Sequence, residues 1–188
     1  MTMPEETRRT AHLDHRSPLV LDTRELGRRP GSMRRLSRSV PAPADLGVDV
    51  LGVPERSALE LDLRLESVVE GVLVSGTVTG TVTGECVRCL DPVSRHLEVD
   101  VQELWTREAV ADAEDELPRL DGDLLDLEPV LRDAVVLALP LQPLCRDDCP
   151  GLCSECGARL ADDPGHQHDT VDPRWAALQQ LPGRTDGS

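Results

Sequence analysis

Leucine recurs at every second position from Leu59 to Leu65, with Glu60, Asp62, Arg64 and Glu66 between and after. Strict alternation gives an extended chain one apolar and one polar face, so this spacing predicts a half-buried strand. Two β-branched runs follow, Val68 to Val74 and Thr77 to Val82. Ser75-Gly76 separates them and reads as a hairpin turn. Leu97, Val99 and Val101 alternate again with Glu98, Asp100 and Gln102. Short links between successive strands predict an antiparallel sheet. Upstream, Pro18 to Asp22 is a short strand candidate, and Leu46 to Val53 is a further apolar segment after Pro41 and Pro43.

The period changes at Leu127. Leu127 to Leu139 reads as a helix, with Pro129 in its first turn and Pro140 at its end. Its apolar positions nearly surround it, which predicts packing against the sheet. Asp172-Pro173 reads as a cap and first-turn proline, starting a short helix through Leu181. Residues 106–126 are acidic and aperiodic, and read as a loop or linker without EF-hand spacing. The fold class expected is α+β: an antiparallel sheet, a packed helix and, from the close spacing of Cys145, Cys149, Cys153, Cys156, His166 and His168, a C-terminal zinc-knuckle segment. One domain over residues 18–181 is expected, with the knuckle segment at 145–168, a mobile tail at 1–17 and a frayed end at 182–188.

Composition puts weight on a staple. Phe and Tyr are absent, and Trp105 and Trp175 are the only aromatics in 188 residues. Large rings normally supply much of a core's buried area, so Leu and Val must supply nearly all of it here. Net charge is -15, unevenly spread. Residues 1–40 carry nine arginines against five acids, while the remainder is strongly acidic. An acidic body repels nucleic acid through its net field. The basic segment offers local phosphate contacts, with Arg24, Arg28, Arg29, Arg34, Arg35 and Arg38 as candidates. A solvated arm is the alternative reading of the same residues. Met1 to Arg16 is polar and charged, so no signal peptide is expected, and the longest apolar run, near Val135 to Leu141, is too short to span a bilayer. A cytoplasmic location is expected. Disulfides are rare there, so paired cysteines point to metal or redox chemistry.

Such pairs are the chain's strongest chemical signal. Cys86-x-x-Cys89, Cys145-x-x-x-Cys149, Cys153-x-x-Cys156 and His166-x-His168 supply eight donors, enough for two tetrahedral zinc ions. One partition is a compact site of Cys145, Cys149, Cys153 and Cys156, which strands Cys86 and Cys89. The other uses every donor: Cys86, Cys89, Cys145 and Cys149 staple a hairpin to the end of the helix, and Cys153, Cys156, His166 and His168 form a local knuckle. Four ligands and no open position mark structural zinc. No nucleophile elbow, phosphate loop or dinucleotide fingerprint is present, so no enzymatic activity is expected.

Glu85-Cys-Val-Arg-Cys-Leu90 after a hairpin resembles the cysteine turn of the YceD family of large ribosomal RNA subunit accumulation proteins. Leu137-Ala-Leu-Pro-Leu-Gln-Pro-Leu-Cys145 is similar to its second hallmark, and Gly71 to Gly76 fits its central hairpin. Asp148 to Gly157 and Asp172-Pro-Arg-Trp175 match its C-terminal region. The likeness spans roughly residues 18–181. It implies a bacterial cytoplasmic protein, not an enzyme, needed for accumulation or processing of large-subunit (23S) ribosomal RNA. It also implies that His166-Gln-His168 stands where many members carry C-x-C, which supports the two-site partition. The partners expected are ribosomal RNA, a large-subunit pre-ribosomal particle or a basic ribosomal protein, with no membrane and no small-molecule substrate. Two rival readings of the cysteines are a redox-responsive chaperone or oxidoreductase and a zinc-ribbon transcription partner.

Overall fold

The computed structural model describes residues 13–107 and 117–168. Among these residues eight strands and one α-helix follow in order: β1 (Val20–Asp22), β2 (Met33–Pro41), β3 (Leu46–Val48), β4 (Leu51–Val53), β5 (Ala58–Ser67), β6 (Gly71–Glu85), β7 (Pro92–Thr106), β8 (Leu124–Asp126) and α1 (Glu128–Ala138). All strand pairing in the two sheets is antiparallel. Of the expected α+β fold, the antiparallel sheet and the packed helix are observed among the described residues.

β6 is the axis of the large sheet. It pairs with β7 along its whole length, from Gly71 opposite Thr106 to Glu85 opposite Pro92. Its other edge pairs first with β5, Ser67 facing Val72 and Glu60 facing Thr79, and then with β4, Leu51 facing Gly84. β2 extends the sheet beyond β5, and β3 extends it beyond β4.

The Ser75-Gly76 pair is not the expected turn, because β6 runs unbroken through it. Gly76 sits at φ +149°, and a Cβ there would lie 2.1 Å from the Asp62 carbonyl oxygen. The glycine serves close approach of two strands, a role a hairpin turn shares at the level of sequence. The turn falls earlier, where the Val68 N–H donates to the Gly71 carbonyl at 3.0 Å.

The described residues of the acidic stretch form pairings that a linker lacks. β8 pairs with β1 in a second, two-stranded sheet, and Arg119 bridges to Thr106. Residues 108–116 of that stretch lie outside the described residues, as do the helix expected from Asp172, Trp175 and the 182–188 end. Of the tail expected at 1–17, residues 13–17 are described; the Leu13 N–H donates to Asp121 at 2.9 Å.

The core lies between the inner face of the large sheet and a layer formed by β1, β8 and α1. Leu59, Leu61, Leu63, Leu65, Val74, Val78, Val99 and Trp105 meet Leu21, Leu125, Leu127, Leu131 and Val135 there. Leu and Val do supply nearly all of it. Asp126 accepts from the Glu128 N–H at 3.0 Å and starts α1, where a leucine occupies the cap position. The helix packs against β3 and β7 on one side only. Val136 and Leu137 face solvent, so its all-round apolar pattern overstates its burial.

Candidate metal centre

The turn from β6 to β7 carries Cys86 and Cys89, and the chain leaving α1 returns to it. The Val87 N–H donates to Pro143 at 2.9 Å, and the Leu152 N–H donates to Arg88 at 3.0 Å. Arg88 reaches the Cys149 carbonyl at 2.9 Å, and Arg95 reaches the Leu144 carbonyl at 2.6 Å. These bonds hold residues 143–152 against the hairpin end. Cys86, Cys89, Cys149 and Val93 form a small buried cluster there, separate from the main core, with Leu144 and Leu152 against it.

The thiol sulfurs of Cys86, Cys89, Cys145 and Cys149 all lie within 4.8 Å of one another. Cys86 Sγ is 3.8 Å from Cys149 Sγ, and Cys89 Sγ is 3.5 Å from Cys145 Sγ. A tetrahedron with Zn–S of about 2.3 Å has an edge of ~3.8 Å, so the spacing fits a four-thiolate ion. It is far too long for a disulfide, and all six cysteines are free. Asp91 accepts from Cys89 Sγ at 3.3 Å and pairs with Arg159, which ties the later knuckle to this turn.

The thiols differ in acidity. Burial pushes the Cys86 thiol up. Hydrogen bonds from the backbone of Cys145, Arg88 and Cys89, joined by the Cys89 side chain, outweigh that and bring it down to about 6. Burial and the neighbouring sulfurs of Cys86, Cys145 and Cys149 push Cys89 up to about 12. Cys145 is also raised: its bond with Cys89 favours the thiolate, but burial and the other two sulfurs prevail. A thiolate at Cys86 beside thiols at Cys89 and Cys145 is what like-charge repulsion allows before a cation arrives.

The second cluster is local. Cys153 accepts from the Glu155 N–H at 3.4 Å, and the Gly157 N–H closes the turn on the Cys153 carbonyl at 2.9 Å. Gly157 takes φ +72°, which suits glycine. Backbone bonds from Cys156 and Glu155 lower the Cys153 thiol to about 6. Donor atoms of Cys153, Cys156, His166 and His168 lie within 4.8 Å of one another. Both imidazole Nε2 atoms stand 3.2 Å from Cys156 Sγ. Each Nδ1 faces a carboxylate, Asp163 at 3.6 Å and Glu155 at 3.7 Å. These contacts are too long for hydrogen bonds, but they set Nδ1 toward the carboxylates and Nε2 toward the donor group. The two Nε2 atoms are 2.8 Å apart, closer than the ~3.3 Å edge of a tetrahedral site with Zn–N near 2.0 Å. The knuckle is therefore less preorganised than the buried cluster, and more exposed. Both groups could hold a metal ion, and they are divided as the use-every-donor partition divides them.

The arginine candidates do not form a free arm. Arg24 pairs with Asp22, Arg34 lies 3.1 Å from Glu25, and Arg28 lies 3.9 Å from Asp123. Arg34 and Arg38 alternate with Leu36 along the inner face of β2, and Arg38 donates to the Pro18 carbonyl at 2.5 Å. Arg35 is on the outer face, opposite Arg64, and Arg29 is exposed. The arginine count alone could not separate these roles; the alternation along Met33–Pro41 could. Sequence spacing likewise passed over Arg88, Arg95 and Asp91, whose roles depend on where the chain returns.

The profile of the large ribosomal RNA subunit accumulation protein YceD matches residues 74–182. An uncharacterized protein of Mycobacterium tuberculosis is 46% identical over 178 residues, covering 93% of this chain and 86% of its own. An uncharacterized protein of Mycobacterium leprae is 43% identical over 183 residues, covering 92% and 84%. No solved structure matches significantly. The matched segment holds β7, β8, α1 and all eight donor residues, and the relatives extend the likeness over nearly the whole sequence, so the chain belongs to the YceD family.

Proposed function

We propose that this protein is a non-enzymatic accessory of large-subunit ribosome assembly that supports accumulation or processing of 23S ribosomal RNA. Family membership carries this reading. Two zinc ions serve it structurally. Cys86, Cys89, Cys145 and Cys149 bind one that fastens the β6–β7 turn to the chain leaving α1, and Cys153, Cys156, His166 and His168 bind the other. Each centre has four protein donors and so no open position for a substrate. The sheet, the knuckle and the arginines are recognition surfaces rather than catalytic ones. Among the described residues no helix is long and apolar enough to cross a membrane, and the proposed site of action is the cytoplasm.

Ultraviolet cross-linking of the tagged protein in cells, with RNA and protein partners both identified, tests this reading. Large-subunit RNA or proteins of its precursor particle are expected. Recovery of polymerase subunits without ribosomal material would favour the transcription reading instead. The redox reading draws on the low Cys86 and Cys153 thiols. Cys86 has 0% exposure, which denies a dithiol partner access. A fast-reacting Cys153 in thiol titration of the zinc-loaded protein would favour the redox reading.

A further inference from the structure

Cys86-x-x-Cys89 and Cys153-x-x-Cys156 are followed by different residues in the same backbone state. Gly157 takes φ +72° without penalty, whereas Leu90 takes φ +62°. A bulky side chain in the left-handed region is strained. Leu90 is also 60% exposed, so no burial offsets that strain. A residue unfavourable on both counts marks a surface with a use.

Leu90 does not stand alone. It lines a cleft of ≈ 400 Å³ with Val48, Val50 and Val87. All three valines are more than 40% exposed. A second cleft of ≈ 430 Å³ adjoins it and shares Val48, Asp49, Gly52 and Thr83. Among the described residues the charged lining of the pair is Asp45, Asp49, Glu55 and Glu85, and no described arginine lines either cleft. Among the described residues only Glu55 of these four makes an ion pair, an exposed one with Arg56. The floor is fixed by the Glu85 N–H, which donates to the Val50 carbonyl at 3.2 Å. The far wall is the Cys86–Cys89 turn itself.

We infer that this groove, formed by the β3–β4 hairpin and the Cys86–Leu90 turn, docks a segment of a basic protein that carries aliphatic side chains. Exposed aliphatics supply the apolar contact, and four carboxylates without a lining base select cations. Charge complementarity decides against RNA, whose phosphates this rim repels. The groove is also distinct from the arginines of β2, so one chain presents opposite charges to different partners. The inference goes beyond the RNA-accumulation reading and does not depend on it.

The test uses the full-length protein and short synthetic peptides that vary independently in Arg/Lys and in Val/Leu content, at physiological salt. Affinity should require both classes of residue. Leu90→Gly removes an anchor from a left-handed position, so it should keep or raise the melting temperature while weakening binding about tenfold. Val50→Ser should weaken it similarly, and Asp49→Asn with Glu85→Gln should remove the dependence on Arg and Lys. Glu60→Gln with Asp62→Asn, on the outer face of β5, should change nothing. Binding that tracks peptide charge alone, or equal loss in the β5 control, would overturn the assignment. The assay contains no ribosomal RNA, so its failure would leave the accumulation reading standing.

Discussion

The sulfurs of Cys86 and Cys149 lie 3.8 Å apart although 63 residues separate them. The chain between them includes β7, β8 and α1. A metal ion held there closes that entire loop, and its binding energy becomes folding energy. Cys89→Ser should therefore lower the melting temperature by roughly 10 °C or more in a domain of this size. His168→Ala, which touches only the local knuckle, should shift it by no more than about 3 °C. Thermal denaturation of the two variants beside the wild type checks the contrast; equal melting of all three would defeat the staple.

Metal content follows from the two donor groups. Native mass spectrometry of protein purified under reducing conditions should show two zinc ions. His168→Ala should retain one, and a mild chelator should strip the exposed knuckle before the buried four-thiol centre.

Proton release reports the thiols directly. In the metal-free protein Cys89, near 12, and Cys145, also raised, are neutral at pH 7.5, whereas Cys86, at about 6, is already a thiolate. A metal takes all of them as thiolates. Loading should release the protons of both Cys89 and Cys145, so apparent affinity falls as pH falls. Below pH 6 Cys86 must also be deprotonated, and affinity should fall more steeply. Calorimetric zinc titration in buffers of different ionisation enthalpy measures the count, and a pH-independent affinity would contradict it.

The arginines should divide by face. Arg34→Gln with Arg38→Gln removes contacts to Glu25, Asp22 and Pro18, and should lower stability. Arg29→Gln with Arg35→Gln should leave stability unchanged. If those two side chains meet RNA phosphates, the salt slope of binding should drop by about 0.7 for each. Filter binding across a salt series, with a melting curve for each variant, separates the pairs.

What was legible in the sequence had a strict local signature. The Leu59–Leu65 alternation fixes both the strand and its inner face, and Pro129 with Pro140 brackets α1. The donor pairs were legible, because each is a short local spacing, while their grouping was open between two partitions until the fold gathered the side chains. Gly76 misled because a glycine needed for close strand approach looks like one needed for a turn. β8 was hidden because three residues beside a run of acids give no period, and its partner, β1, lies about a hundred residues earlier. The groove at Leu90 was invisible because its walls come from separate hairpins, and only backbone dihedrals show that Leu90 occupies a glycine's place.

The functional claim is tested most directly by the ratio of mature large-subunit to small-subunit ribosomal RNA in a strain lacking the gene, under ordinary growth and under cold stress. The ratio should fall in the deletion strain and recover with the wild-type gene. It should not recover with Cys86→Ser and Cys149→Ser together. An unchanged ratio and normal particle profiles in the deletion strain would contradict the account.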